Sequence, residues 1–281
     1  MSVLTAPQIR RFREDGYLVI ERVFSAAEIA SVKQAALDIV AEFDANAHRT
    51  VFKTTDRDAG RDDYFFDSAE AVHCFLEEGA LDAAGNLLRP KELAINKIGH
   101  AMHDLVPEFG AFCRLPQIGE TLRDIGYEQP SLWQTMYIFK QPGIGGEVRW
   151  HQDASYLISE PPRVTGIWIA IEDAGLENGC LWVQPGGHRS PLREIYEVDW
   201  AQRAGSLRVL DHSPWPQPEQ AVPLEVPLGS MVLFSDHMPH YSSQNRSARS
   251  RHAFTLHVSE QGLPWPQKNW LQRPRLGDFL L

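Results

Sequence analysis

The sequence predicts an α+β protein in which helices come first and a sandwich or barrel of mostly antiparallel strands follows. Three observations carry this. Up to about residue 130 the apolar residues recur mainly at helical spacing. From Ser131 the texture changes to short runs, "LWQTMYIFKQ", "RVTGIWIAIED", "CLWVQPGGH", "LEVPLGSMVLFSD" and "RHAFTLHVSE", divided by Gly, Pro and Asn turns. The chain of 281 residues shows no internal repeat and no clear linker, which suits one large unit. The expected division is a helix-rich part, 1–130, and a strand core, about 131–260, within a single domain over 1–281.

The elements follow in order. Thr5 can cap a short helix beginning at Pro7, and Gly16 can end it. "YLVIERVF" reads as a strand. Ser25 and Glu28 form a capping-box pattern ahead of Ile29, Val32, Ala36, Ile39, Val40 and Phe43 at helical spacing. Residues 44–68, with "TTDRDAGRDD" inside them, read as a solvated surface loop or flap. "LAINKIGHAMHDLVPEFGAFCRLPQIGETLRDIGY" alternates helical patterns with turn signals. Residues 190–221 are polar and Pro-rich and read as an insertion.

Composition sets outer limits on function. The apolar share of 43% and charged share of 23% are those of an ordinary globular chain. A net charge of −10 argues against general nucleic-acid binding, which needs a surplus of Lys and Arg. Cys74, Cys113 and Cys180 share no close spacing and suggest a reducing compartment rather than a disulfide framework. With no run of ~18 apolar residues and no leader pattern, the expectation is a cytoplasmic protein without a membrane partner.

The chemistry starts at "RWHQDASYL", residues 149–157. In an extended strand alternate side chains share a face, so His151 and Asp153 point one way and Gln152 the other. Alone, such a pair also suits a hydrogen bond on a strand surface. Two histidines and one carboxylate on one face are, however, a common iron(II) site in oxygenases. The second histidine must come from a distant strand: His188, His212, His237, His240, His252 and His257 are the candidates. An arginine helps to choose, because a keto-diacid co-substrate carries a remote carboxylate that Arg grips through parallel hydrogen bonds. Arg251 lies eleven residues after His240 and opens a new strand. Its alternation sets Arg251, Ala253 and Thr255 on a pocket face and Phe254, Leu256 and Val258 on a core face. His240 with Arg251 is therefore the pairing expected, and His237 its main rival. His100 and His103, spaced i and i+3, lack an acidic third ligand nearby and read as structural or substrate-facing. His188, in a Pro-Gly-Gly turn, reads as shaping a pocket rim.

These stretches, together with "INKIGHAMH", "MYIFKQPGIGGEV", "HQDASYL", "GIWIAIEDAGLENGCLWVQPGGHR", "HYSSQN" and "RSRHAFTLH", resemble the phytanoyl-CoA dioxygenase family of iron(II)- and 2-oxoglutarate-dependent oxygenases. The likeness runs from "DGYLVIERVFSAAEI" to "NWLQ". It implies a double-stranded β-helix (a jelly roll, cupin-like) with a flanking helical layer. It implies Fe(II) held by His151, Asp153 and His240, with 2-oxoglutarate and O2 as co-substrates. Arg251 would clamp the distal carboxylate of 2-oxoglutarate, assisted by Ser242, while Lys97, Met136 and Trp168 would line the co-substrate pocket. Strand alternation independently supports Trp168, since Ile167, Ile169 and Ile171 fill the opposite face.

The implied reaction is oxidation of a C–H bond in a small organic substrate, with release of succinate and CO2. Asp153 itself favours hydroxylation, because related halogenases keep that position small. Segments 44–68 and 190–221 match nothing in the family, so the family name does not carry an acyl-CoA substrate with it. Two other readings stay open on sequence: a cupin-like metalloenzyme that uses no keto acid, and a non-catalytic sensor that keeps the fold.

Overall fold

The computed structural model describes residues 2–52 and 62–281. Most of the described strands form two antiparallel sheets. The larger runs in the order β1 (Tyr17–Ile20), β11 (Met231–Ser235), β6 (Val164–Ala170), β13 (Ala253–Glu260), β4 (Pro130–Ile138), β3 (Ile95–His100) and β2 (Val72–Leu76), and β14 (Phe279–Leu280) also pairs with β4. The smaller runs β10 (Val222–Leu224), β7 (Leu181–Val183), β12 (His240–Ser242) and β5 (Val148–His151). Strands β8 (Glu194–Asp199) and β9 (Ala204–Val209) form a separate hairpin. Two facing sheets with a helical layer outside are the jelly-roll core and flanking helices that the sequence led us to expect.

Helix α1 (Ala6–Asp15) is capped by Thr5, whose side chain accepts from the Gln8 amide, and it ends at Gly16 with φ 80°. Glycine is required at that end twice over: a Cβ on Gly16 would also lie 2.2 Å from Nδ1 of His188. Helix α2 (Ala26–Glu42) starts with the Ser25–Glu28 capping box. It buries Ile29, Val32, Ala36 and Val40 against the outer face of the larger sheet, joined there by Phe109 of α5 (Pro107–Cys113) and Leu122 of α6 (Pro116–Asp124). Ile167, Ile169, Phe254, Leu256 and Val258 supply the sheet's side of that core. Each such side chain contributes roughly 1.5–3 kcal/mol by leaving water.

The inner face of the same sheet packs on the smaller one through Trp168, Ala170, Val232, Phe234 and Ala253 against Cys180, Leu181 and Val183. Strand β6 is buried throughout because it is covered on both faces. Successive residues thus alternate between a helix-facing core and the space between the sheets. The site lies in that space.

Two expectations differ from what the fold shows. Residues 95–100, placed in a region of helical pattern, form strand β3. Most of its residues are buried, so no surface face betrays its period. Within 44–68, residues 53–61 lie outside the described residues, but the following segment is not a solvated loop. It forms α3 (Asp63–Asp67), capped by Asp62, which buries Phe65 and Phe66 among Phe75, Leu157 and Trp270. Within 190–221 the chain forms the β8–β9 hairpin, with Tyr196 and Val198 buried in the same aromatic cluster. Among the described residues no helix is long and apolar enough to cross a membrane.

Candidate metal centre and active-site cavity

Strands β5 and β12 are neighbours, and His151 and His240 are direct partners across them. Their rings lie 4.0 Å apart, centroid to centroid. Each is oriented in the same way: Nδ1–H donates to a carbonyl two residues upstream, Arg149 O for His151 (2.9 Å) and Met238 O for His240 (3.0 Å). That bond fixes the tautomer and leaves both Nε2 lone pairs free to take a metal. Burial, and then the neighbouring His240 ring, push the His151 imidazole down to about 3. It is therefore neutral, as a ligand must be, at physiological pH.

Strand β5 ends at His151, so Asp153 is not a strand residue; it begins a short 3-10 turn, Asp153–Ser155. The turn still returns its carboxylate to the histidines. Asp153 Oδ1 lies 3.7 Å from Nε2 of both His151 and His240. Burial opposes its charge, but His257, His240 and His151 together hold the carboxyl well below its usual range. Gln152 points away and ties down the surroundings. Its Nε2 donates to Pro191 O and His237 O, and its Oε1 accepts from the Arg193 amide.

Ligand atoms of His151, Asp153 and His240 all lie within 4.8 Å of one another, and among the described residues no other group of three His, Cys, Asp or Glu side chains converges in this way. Nitrogen, nitrogen and carboxylate oxygen on one side of a cavity suit a ferrous ion that keeps open positions. His237, the rival, is outside the cluster. Its carbonyl serves Gln152, and His240 holds the place.

The cavity has a volume of about 520 Å³ and runs between the sheets. Arg251, just ahead of β13, is buried on its wall with its guanidinium carbon 5.3 Å from the ring centre of Trp168. Its Nε and Nη1 are buried without a hydrogen-bond partner among the described residues. Burial lowers its pKa only to about 10, so a full cation waits there with two donors unused. Leaving such donors unmade costs about 1–3 kcal/mol or more, and a carboxylate bound beside the guanidinium would offset the burial of its charge. The donor set fits a dicarboxylate. Lys140, on the same wall, has two of its three N–H donors taken by Gly146 O and Ser243 O.

Met136, Lys97, Thr255 and Ser242 line the same cavity. Lys97 Nζ sits 3.5 Å from the Met136 sulfur and 3.2 Å from Nε2 of His100. The Ser242 hydroxyl donates to Gly179 O, so only its lone pairs face a ligand. His100 lines the cavity, its Nδ1 bonded to Ser68 Oγ. His103 is structural: it bonds Arg273 and Thr135 away from the cavity. Against expectation, neither His188 nor its Pro-Gly-Gly turn lines the cavity, and the His188 ring lies beside Gly16.

A family model described as phytanoyl-CoA dioxygenase matches residues 12–253. Phytanoyl-CoA dioxygenase domain-containing protein 1 of Mus musculus is 42% identical over 97% of this chain and 96% of its own length. The chain belongs to the phytanoyl-CoA dioxygenase family. Its relatives include a phytanoyl-CoA dioxygenase of Arabidopsis thaliana, 40% identical over 99% of this chain and 96% of that protein. Among solved structures, EctD from S. alaskensis with 2-oxoglutarate and 5-hydroxyectoine superposes with a TM-score of 0.63. It is 20% identical, over 98% of this chain and 82% of that one. The carbocyclase SnoK from nogalamycin biosynthesis gives 0.63 at 20% identity, over 94% and 87%. These two likenesses bear on the fold.

Two further residues reach the site, Gln134, which was not singled out from sequence, and His257, which was named there only as one of six candidates for the second histidine ligand. His257 Nε2 lies 3.0 Å from Asp153 Oδ2, and Gln134 Nε2 lies 3.0 Å from His257 Nδ1. A signal existed, since the alternation that places Arg251, Ala253 and Thr255 on the pocket face reaches His257 two residues later. Tyr196 and Leu207 of the hairpin line the cavity as well, as do Arg49, Thr50 and Phe52. Arg149 Nη2 donates to Glu194 Oε2 at 2.9 Å and fastens the hairpin to β5.

Proposed function

We propose that this protein is an iron(II)- and 2-oxoglutarate-dependent dioxygenase, an oxidoreductase that hydroxylates or otherwise oxidises a C–H bond of a small organic substrate. The observation that carries the proposal is the buried Arg251 guanidinium on the wall of the cavity that also gathers the three metal-ligand side chains. A cupin-like metalloenzyme without a keto acid would have no use for that cation.

His151, Asp153 and His240 would hold Fe(II). Arg251 would grip the distal carboxylate of 2-oxoglutarate, with Trp168 packed under the guanidinium and Met136 and Thr255 along the co-substrate. Lys97 would orient a carboxylate or keto oxygen, and Ser242 would offer a lone pair at the rim of the same pocket. When bound, the ferrous ion supplies reductive activation of O2, coupled to oxidative decarboxylation of 2-oxoglutarate: substrate C–H, O2 and 2-oxoglutarate become C–OH, succinate and CO2. The chain's own contribution is to fix the donors, orient the co-substrate and keep water from the reacting centre.

A small molecule suits a cavity of about 520 Å³. The net charge of −10 supports no role with nucleic acid. The three cysteines are all unbridged and buried, which supports a cytoplasmic setting.

Succinate release tests the proposal. Iron-loaded protein screened against acyl thioesters, other lipids, alkaloid or polyketide intermediates and free amino or hydroxy acids should release succinate in step with oxidation of one class. Anaerobic Fe(II) plus 2-oxoglutarate should give a weak visible charge-transfer band. Absence of the band in protein that has bound iron would refute co-substrate chelation.

A further inference from the structure

We infer that His257 is the positioning residue for Asp153, and that Gln134 sets the tautomer in which it acts. The inference rests on the iron-site reading above and deepens it.

Asp153 divides its two oxygens between different partners. Oδ1 is 3.7 Å from both His151 Nε2 and His240 Nε2, while Oδ2 is 3.0 Å from His257 Nε2. His257 belongs to the other sheet. On β6, between Phe234 of β11 and His257 of β13, the partner of both is Gly166. A Cβ at Gly166 would lie 2.8 Å from Asp153 Oδ2. The missing side chain is thus what lets the carboxylate sit against the larger sheet, within reach of His257.

The tautomer follows from Gln134, which faces His257 across β4 and β13. Its Nε2 can only donate, so Nδ1 of His257 is the acceptor. The single hydrogen of a neutral ring then lies on Nε2, aimed at Oδ2. Gln134 Oε1 is meanwhile buried with no hydrogen-bond partner among the described residues.

With Oδ2 held, Asp153 presents one oxygen to the imidazoles and cannot swing to present both. His257 lines the cavity but is not one of the three converging ligand side chains; it acts through Asp153. Outer partners of metal ligands typically carry a ~10–100-fold effect on metal affinity.

The test is anaerobic Fe(II) titration of metal-stripped full-length protein, with the 2-oxoglutarate charge-transfer band as second readout, in wild type, His257→Phe, His257→Gln and Gln134→Leu. His257→Phe should weaken Fe(II) about 10–100-fold and shift or bleach the band. His257→Gln, whose amide can still donate to Oδ2, should recover most of both. Wild-type affinity and band in His257→Phe would overturn the inference, as would a His257→Gln variant impaired as badly as the phenylalanine one. Should His257→Phe fail to fold, Gln134→Leu decides: a weakened band supports the tautomer lock, and an unchanged affinity and band overturns it. A wild type that binds no Fe(II) would instead remove the iron-site reading itself.

Discussion

His151 and His240 stand directly opposite each other on adjacent strands of the smaller sheet, each ring tied at Nδ1 to the carbonyl two residues before it. The pair is set by strand register, not by loop conformation. His240→Ala should therefore leave β12 in place and remove one donor cleanly. Fe(II) affinity should fall by more than the ~100-fold that marks the upper end for an outer partner, and the charge-transfer band should vanish. An unchanged band in His240→Ala would remove this residue from the ligand set.

Arg251 predicts a co-substrate effect. A buried guanidinium offers a planar fork that matches a carboxylate and that no point charge reproduces, so Arg251→Lys is not conservative here. Loss of a buried charge-assisted pair costs on the order of 2–5 kcal/mol. Both Arg251→Lys and Arg251→Ala should raise KM for 2-oxoglutarate at least ~10-fold while leaving Fe(II) binding near wild type. Succinate release measured against 2-oxoglutarate concentration checks this. Equal KM values would mean that the carboxylate is held elsewhere.

Gly166 predicts a coupling of stability and metal binding. A methyl there would meet the Phe234 ring at 2.3 Å as well as Asp153 Oδ2. Overpacking of this kind costs typically ~1–3 kcal/mol. Gly166→Ala should lower the urea midpoint of the metal-free protein and weaken Fe(II) as well. If either falls alone, the carboxylate and the sheet are not in contact as described.

Acidification should destabilise the metal-free protein in a definite window. Burial pushes His252, beside Tyr137 and Glu172, down to about 4, and burial with Arg273 pushes His103 well below the usual histidine value. In the unfolded chain both take protons below about 6.5. Between pH 6.5 and 4 the unfolded state thus binds more protons, and stability falls as pH drops. It is fully present above that range. Melting temperatures from pH 7.5 to 4.5 check the sign; a flat profile would contradict it.

Much of this was legible in sequence because it obeys a period. Ser25 and Glu28 announce α2, and alternation in "RHAFTLH" sorts Phe254 and Leu256 into the core and Thr255 onto the cavity. His151 and Asp153 could be paired by spacing, although the turn at Asp153, rather than strand alternation, brings the carboxylate back. What escaped is what lacks a period. Strand β3 is buried on nearly every residue, and Phe65 and Phe66 sit in a five-residue helix too short to show one. The His257–Asp153 bond joins residues 104 positions apart, and only the pairing of the sheets brings them together.

The β8–β9 hairpin has its own edge pairing, joins neither sheet, and meets β5 through the Arg149–Glu194 bond. It supplies Tyr196 and Leu207 to the cavity wall but none of the three converging metal-ligand side chains. A lineage could therefore recast this appendage, and with it the molecules admitted, without redrawing the oxidative machinery beneath. Exchanging residues 194–209 between members of this family is the natural route to new chemistry on new compounds.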